Sequence, residues 1–363
     1  MDALAAAGRA IGRDLTPVEE LKRNDRAQVL RARADGGPVT VIVKTYATGY
    51  AERWARESAA LTVLRGRGLP VPELLAVADD PMLVVLADAG RGGSLADAFL
   101  GRDAAAADGT LGSWADALAS LHSATAGDAA LFATALGAAR VAGSGEGPAA
   151  DPMPGLLGTA ADLLATHLPA LGVTPGGRAL ARLRSMADEL SPDATALTPA
   201  DACPDNNLAT PSGLLLLLDF EQAAFRHVAW DAAYLLVPWP TCWCSWGLPD
   251  VAAGAALARW RGAVAPSIPA AAAPAFERDL DIAVVAWSLL SGAFFLAGVL
   301  DRDDTPGGPA FSPSRRTVIR HRMALAARRR AAAPDLADLA EEVLTATARH
   351  WGELPLAMAP AYR

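Results

Sequence analysis

The sequence predicts an α+β fold in two lobes, a small β-rich lobe over residues 1–90 and a large, mostly α-helical lobe over residues 91–363. Three observations carry this expectation. Residues 27–34 (AQVLRARA) and 39–46 (VTVIVKTY) read as strands joined by Asp35-Gly36-Gly37-Pro38, a hairpin turn signal. Beyond Gly92-Gly93 strand patterns nearly vanish and Ala/Leu-rich helical patterns take over. A chain of 363 residues, 52% hydrophobic and 20% charged, is globular and long enough to bury a substantial core.

Residues 1–13 are Ala-rich and carry Asp2, Arg9 and Arg13, so they lack the continuous apolar core of a secretory signal. The strand at 39–46 holds Lys44, one of two lysines in a chain whose other basic residues are arginines. A compact ammonium at the end of a strand suits nucleotide phosphates better than a guanidinium fork. A helix follows over 50–65, with Trp54, Leu61 and Leu64 at helical spacing and Glu57 beside them. Residues 68–76 and 82–90 give two more extended segments.

In the second lobe, residues 114–123 form a helix that ends near His122, expected to be packed or capping. The Gly/Pro-rich stretch 143–155 reads as a loop within the lobe. The most informative stretch is 197–231. Asp201 is followed five residues later by Asn206, and an apolar run at 214–218 then delivers Asp219, Phe220 and Glu221. Phosphoryl transfer needs one carboxylate to orient or deprotonate a hydroxyl, and an amide oxygen and a second carboxylate to hold Mg²⁺ against phosphates. The chain has three Asn, and two of them are Asn206 and Asn207.

Residues 237–249 (VPWPTCWCSWGLP) suggest a pocket wall or core filling. Zinc at Cys203, Cys242, Cys244 and His227 is disfavoured because Cys-x-Cys is not a usual zinc spacing. Residues 282–300 are uncharged and long enough to cross a bilayer, but their acidic flanks favour a helix buried in the lobe. The basic run between residues 313 and 349, including Arg315, Arg316, Arg320 and Arg322, reads as a solvated helix face. Net charge of −8 offers no electrostatic footprint for nucleic acid, while a cationic small substrate is compatible with it. Three cysteines make no disulfide framework and point to the cytosol, and no hydrolase triad stands out among the five histidines.

The pattern Asp201-x-x-x-x-Asn206, an apolar strand, then Asp219-Phe220-Glu221 resembles the catalytic loop and metal segment of aminoglycoside phosphotransferases and choline kinases, small-molecule relatives of the protein kinases. The resemblance implies a bilobal protein-kinase-like fold and an ATP-dependent phosphotransferase acting on a hydroxyl of a small molecule. It makes Asp201 the catalytic aspartate, Asn206 and Asp219 the Mg²⁺ ligands, and Lys44 the phosphate contact positioned by Glu57. Backbone groups of Leu86, Ala87, Asp88 and Ala89 would read the purine. Asp205, Glu221, Asp231, Trp239 and Trp243 become candidates around the acceptor, Asp231 matching an aspartate the family carries on the following helix. Aminoglycoside, other antibiotic, choline-like amine and metabolite sugar all stay open as acceptors, with no nucleic-acid or membrane partner expected.

Two departures stand out. Pro199-Ala200-Asp201 replaces the family's His-Gly-Asp, and residues 21–26 (LKRNDR) lack glycine where protein kinases cover the phosphates, leaving backbone amides and Asn24 to cradle them. These departures motivate an alternative, a nucleotide-binding pseudoenzyme or regulator of kinase-like fold. A protein anchored by residues 282–300 is a third reading.

Overall fold

The computed structural model describes residues 3–36, 39–142, 151–300 and 311–363. The Gly37-Pro38 half of the predicted hairpin turn, most of the 143–155 loop and the acidic residues 301–304 lie outside the described residues. The first part of the chain runs α1 (Ala3–Ile11), β1 (Leu15–Arg23), β2 (Ala27–Ala34), β3 (Thr40–Tyr46), α2 (Ala51–Leu64), β4 (Leu74–Asp79) and β5 (Met82–Ala87). The strands form one antiparallel sheet in the order β1-β2-β3-β5-β4. The second part holds α3 (Leu95–Leu100), α4 (Ala104–Thr125), α5 (Ala129–Ala142), α6 (Met153–His167) and α7 (Gly177–Ser185). Four short strands follow, β6 (Thr195–Thr198), β7 (Asn207–Ala209), β8 (Leu215–Leu217) and β9 (Ala224–His227), then α8 (Ala229–Ala232), α9 (Asp250–Val264), α10 (Phe276–Leu296), α11 (Arg315–Ala327) and α12 (Pro334–Trp351).

The period of two along a strand decides what each face of β3 does. Val41 and Val43, with Leu83 and Val85 of β5, pack under Ala6 and Ala7 of α1 in a small separate core. Ile42, Lys44 and Tyr46 therefore point to the other face, towards α2 and the helical lobe. Trp54 pins α2 there, its indole Nε1–H donating to Leu83 O at 3.2 Å. Between the two parts the chain is held on both sides. Arg31 donates to Gly90 O at 3.0 Å from the sheet, while the Ala209 amide donates to Gly93 O at 2.8 Å from β7. Gly92 has to be glycine, since a Cβ there would lie 1.8 Å from Ala209 O. Ser94 and Asp97 then start α3 with reciprocal capping bonds.

The apolar run at 282–300 lies largely in α10, the one described helix long and apolar enough to cross a membrane, and 83% of its apolar stretch is buried inside the protein. The basic run that follows needs correction. Arg320 and Arg322 on α11 are buried, because α11 packs against both α10 and α12. Arg320 donates to Leu344 O at 3.0 Å and to Thr347 Oγ1 at 2.9 Å, and pairs with Glu353 at 2.8 Å. Arg322 donates to Trp239 O at 3.3 Å and Ser245 Oγ at 3.1 Å. Cys242 and Cys244 are joined by a disulfide with Cα atoms 5.2 Å apart, and Cys203 is free and buried. His227 is remote from a zinc role, since it stacks on Phe276 and faces Asp279 at 3.4 Å.

Candidate active site

A cleft of about 480 Å³ opens between the sheet and the β7–β8 hairpin, and Ile42, Lys44, Glu57, Asn206 and Asp219 all line it. Lys44 Nζ is its electrostatic centre. It lies 2.7 Å from Glu57 Oε2, 2.7 Å from Asp219 Oδ1 and 3.5 Å from Glu221 Oε2. Burial alone would push this ammonium down, but the charges of Glu57, Asp219 and Glu221 more than reverse that and hold its pKa above the ordinary lysine value. Burial pushes Glu57 up to about 7 against the pull of Lys44, and the Tyr46 hydroxyl donates to its carboxylate. For Asp219 burial pushes up as well, yet the Lys44 ammonium prevails and leaves it below the usual carboxylate range.

Asp201 stands in the loop that leaves β6. Ala200 before it adopts a left-handed backbone with φ of 62°, a conformation that suits glycine and costs an alanine on the order of 1 kcal/mol. Asp219 is also left-handed at φ of 64°, so both ends of the catalytic segment carry strain of the kind concentrated at working sites. The place of the absent histidine is taken by other bonds. Tyr234 donates its hydroxyl hydrogen bond to Ala200 O at 3.3 Å, and Thr241 Oγ1 donates to Asp201 Oδ1 at 2.6 Å. Burial raises the Asp201 pKa, the Thr241 bond opposes this, and the nearby Asp219 charge adds to it, with a net rise.

Asn206 donates its amide to Asp201 O at 3.0 Å, which turns its side-chain oxygen away from that bond. Its own carbonyl accepts from Leu218 N at 2.8 Å, tying the loop to the segment that delivers Asp219. A carboxylate and an amide oxygen on one cleft form a hard-oxygen set suited to Mg²⁺. Asn207 is structural, with its Oδ1 accepting from Leu95 N at 2.8 Å and its amide donating to Cys203 O and Pro204 O.

The expected purine edge is only partly open. The Ala87 amide is already given to Glu73 O at 2.9 Å, and the Asp88 carboxylate is held by Arg31 at 2.6 Å and Thr40 at 2.7 Å. Leu86, Ala87, Asp88 and Ala89 nevertheless all line the cleft. Asn24 does not cradle through its side chain, because its Oδ1 caps the turn by accepting from Arg26 N and Ala27 N, both at 2.9 Å.

Among the acceptor candidates the structure separates three kinds. Asp231 is fully buried, taking Arg226 at 2.7 Å and His122 Nε2 at 3.2 Å, so it braces the core and meets no ligand. Trp239 is likewise buried against Trp114 and Phe99 and forms no pocket face. Glu221 belongs to the nucleotide side, paired with Arg53, with Lys44 and with Arg26 at 3.7 Å. Asp205 and Trp243 remain near Asp201, the indole Nε1–H donating to Asp205 Oδ2 at 2.8 Å.

Sequence reasoning missed Lys22, Arg26, Arg53 and Thr241. Lys22 and Arg26 line the nucleotide cleft from the glycine-free turn. The signal for Lys22 was present, since both lysines of the chain, Lys22 and Lys44, line this one cleft.

The sheet, the helical lobe and a cleft closed by a strand lysine and a loop carboxylate define a kinase-like enzyme. The family model described as the phosphotransferase enzyme family matches residues 15–273, and the chain belongs to that family. It is a phosphotransferase. No curated protein matches the chain in sequence. Among solved structures, a protein from Thermobifida fusca named as a fructosamine-3-kinase superposes with a TM-score of 0.52 at 17% identity, over 90% of this chain and 99% of that one. An ethanolamine kinase from Plasmodium vivax gives 0.51 at 11% identity, over 88% and 82%. A choline kinase from Streptococcus pneumoniae gives 0.49 at 14% identity, over 89% and 94%. The first two share the fold.

Proposed function

We propose that this phosphotransferase moves the γ-phosphoryl group of ATP to a hydroxyl of a small molecule, in the cytoplasm and with Mg²⁺. The observation that carries the reading is Lys44, 2.7 Å from both Glu57 and Asp219, on a cleft that Asn206 also lines and beside the loop that holds Asp201. In this reading the backbone of residues 86–89 receives the purine and Lys44, fixed by Glu57, neutralises phosphate oxygens. Asn206 and Asp219 would hold Mg²⁺, which supplies charge neutralisation at the phosphates when bound. Asp201 orients the acceptor hydroxyl and takes its proton as the oxygen bonds to phosphorus and ADP leaves. Its raised pKa suits a proton acceptor better than that of an ordinary surface aspartate. Positioning and charge do most of the work, as is usual for phosphoryl transfer.

The test is ADP release coupled to a phosphorylated acceptor, measured by mass spectrometry on purified protein with MgATP and a broad set of alcohols. Acceptor-dependent ADP release that stops on chelation of the metal supports the reading. Tight ATP binding with no transfer to any acceptor would replace it with a nucleotide-binding regulator.

A further inference from the structure

We propose that the acceptor is an uncharged alcohol with a hydrophobic body, seated in a second cavity inside the helical lobe; this rests on the phosphotransfer reading above. The cavity measures about 230 Å³ and is bordered by Ala200 and Thr241, the neighbour and the hydrogen-bond donor of Asp201. A molecule held there lies beside both the residue that precedes Asp201 and the hydroxyl that bonds it. Leu156, Leu290, Phe294, Phe295 and Trp287 supply apolar walls. The Trp287 indole N–H is spent on Trp230 O at 2.8 Å, which leaves the ring as hydrophobic surface. Gln222 adds an amide on the wall that makes no side-chain hydrogen bond to any described residue, and it is placed to meet a hydroxyl or carbonyl of the acceptor.

Charge around the cavity argues against an ammonium. Arg226 borders it, and the carboxylate that balances Arg226 is Asp231, fully buried behind it and shared with His122. Arg322 and Arg315 lie over the Phe295 ring, 5.1 Å and 5.2 Å from its centroid. The aromatic face that would otherwise attract a cation is thus met by guanidinium groups. No carboxylate is among the described lining residues. Asp205, near Asp201, and Glu221 line the nucleotide cleft and not this cavity. Apolar burial then sets the preference, at about four-fold in affinity for each methylene taken from water.

The experiment compares four acceptors with the purified chain and MgATP, following ADP and the phosphorylated product: phenyl β-glucoside and 2-phenylethanol against kanamycin and choline. The neutral pair should be used with kcat/KM at least about ten-fold above either ammonium compound. Phe294 is half exposed at the cavity wall, so its replacement tests the site without opening the core. Phe294→Ala should raise KM for the neutral acceptors several-fold while ATP titration stays at the parent value, and Phe294→Glu should shift the ranking towards choline. Preferred use of kanamycin or choline by the parent would overturn the acceptor class and leave phosphotransfer standing. Transfer to none of the four by a parent that binds ATP also overturns it. A parent that neither binds nor consumes ATP instead removes the phosphotransfer reading on which the inference stands.

Discussion

On the sheet side of the catalytic loop, one ammonium meets three carboxylates, with Arg53 and Arg26 closing on Glu221. On the helical side of the same loop, Trp239, Trp246 and Trp260 are fully buried, and the buried charges are either paired, as Arg226 with Asp231, or held by neutral acceptors, as Arg322 by Trp239 O and Ser245 Oγ. In the proposed reaction the first region is preset by electrostatics, because the charges on phosphate and metal do not change with the acceptor. In the same reading the second is preset by packing, because shape and apolar surface distinguish one alcohol from another. Damage to the first should therefore appear in the chemical step and in nucleotide binding, and damage to the second in acceptor KM.

The sharpest way to break this contrast is Asp219→Ala. It removes a proposed metal ligand and the partner of Lys44, and should cost about 10³-fold or more in turnover, equivalent to several kcal/mol of lost charge stabilisation, with the thermal unfolding profile retained. Near-normal turnover would mean that the charged cluster only braces the two lobes.

Asp201→Asn should cost about 10² to 10⁴ in kcat and leave ATP titration unchanged. The pH profile adds a sign. Asp201 must be ionised to accept a proton, so the rate falls as pH drops through a pKa that burial has raised above the usual aspartate range. Thr241 favours the ionised form through its 2.6 Å hydrogen bond, so Thr241→Val should move the acid limb to higher pH. An unchanged limb would detach Asp201 from the chemistry.

That Lys44, Glu57, Asn206 and Asp219 meet at one cleft, with Asp201 in the adjoining loop, was legible in the sequence because each is a polar group that its local pattern does not require. The same test fails where tertiary packing decides. Arg320 and Arg322 look like a solvated face until α10 and α12 enclose α11, and Trp239 looks like a pocket wall until Trp114 and Phe99 cover it. Thr241 gave no signal because its bond to Asp201 reaches across 40 positions of sequence. The strand β1 was hidden by exposed charges at Glu20, Lys22 and Arg23, which belong to an edge strand.

A smaller effect sharpens the electrostatic side. Lys22→Ala should weaken ATP binding by no more than about five-fold, the range of an exposed charge, and the loss should shrink as salt is added. Titration with adenosine serves as the control, since it carries no phosphate and should bind both proteins equally. Equal loss for adenosine would assign Lys22 to the fold of the turn.

The smallest expected effect concerns the loop between the two regions. Ala200→Gly places glycine where φ is 62° and should stabilise the protein by about 1 kcal/mol, less the greater entropy of glycine in the unfolded chain, read as a Tm rise of about one or two degrees. A fall in Tm would show that the alanine methyl packs well enough to outweigh the backbone cost.

The connection between sheet and helices has a mechanical corollary. Up to Gly90 the chain is gripped by Arg31 and Asp88, and from Gly92 it is gripped by the Ala209 backbone, against which no side chain fits. Only the peptide bonds around Arg91 are left between these anchors. The covalent link between the lobes is thus one short joint, while α2 packs on α5 and the Leu217 amide donates to Pro70 O at 2.8 Å across the same divide. Lys44, carried on the sheet, meets Asp219 of the other lobe at 2.7 Å, so any separation of the lobes at this point breaks the ion pair.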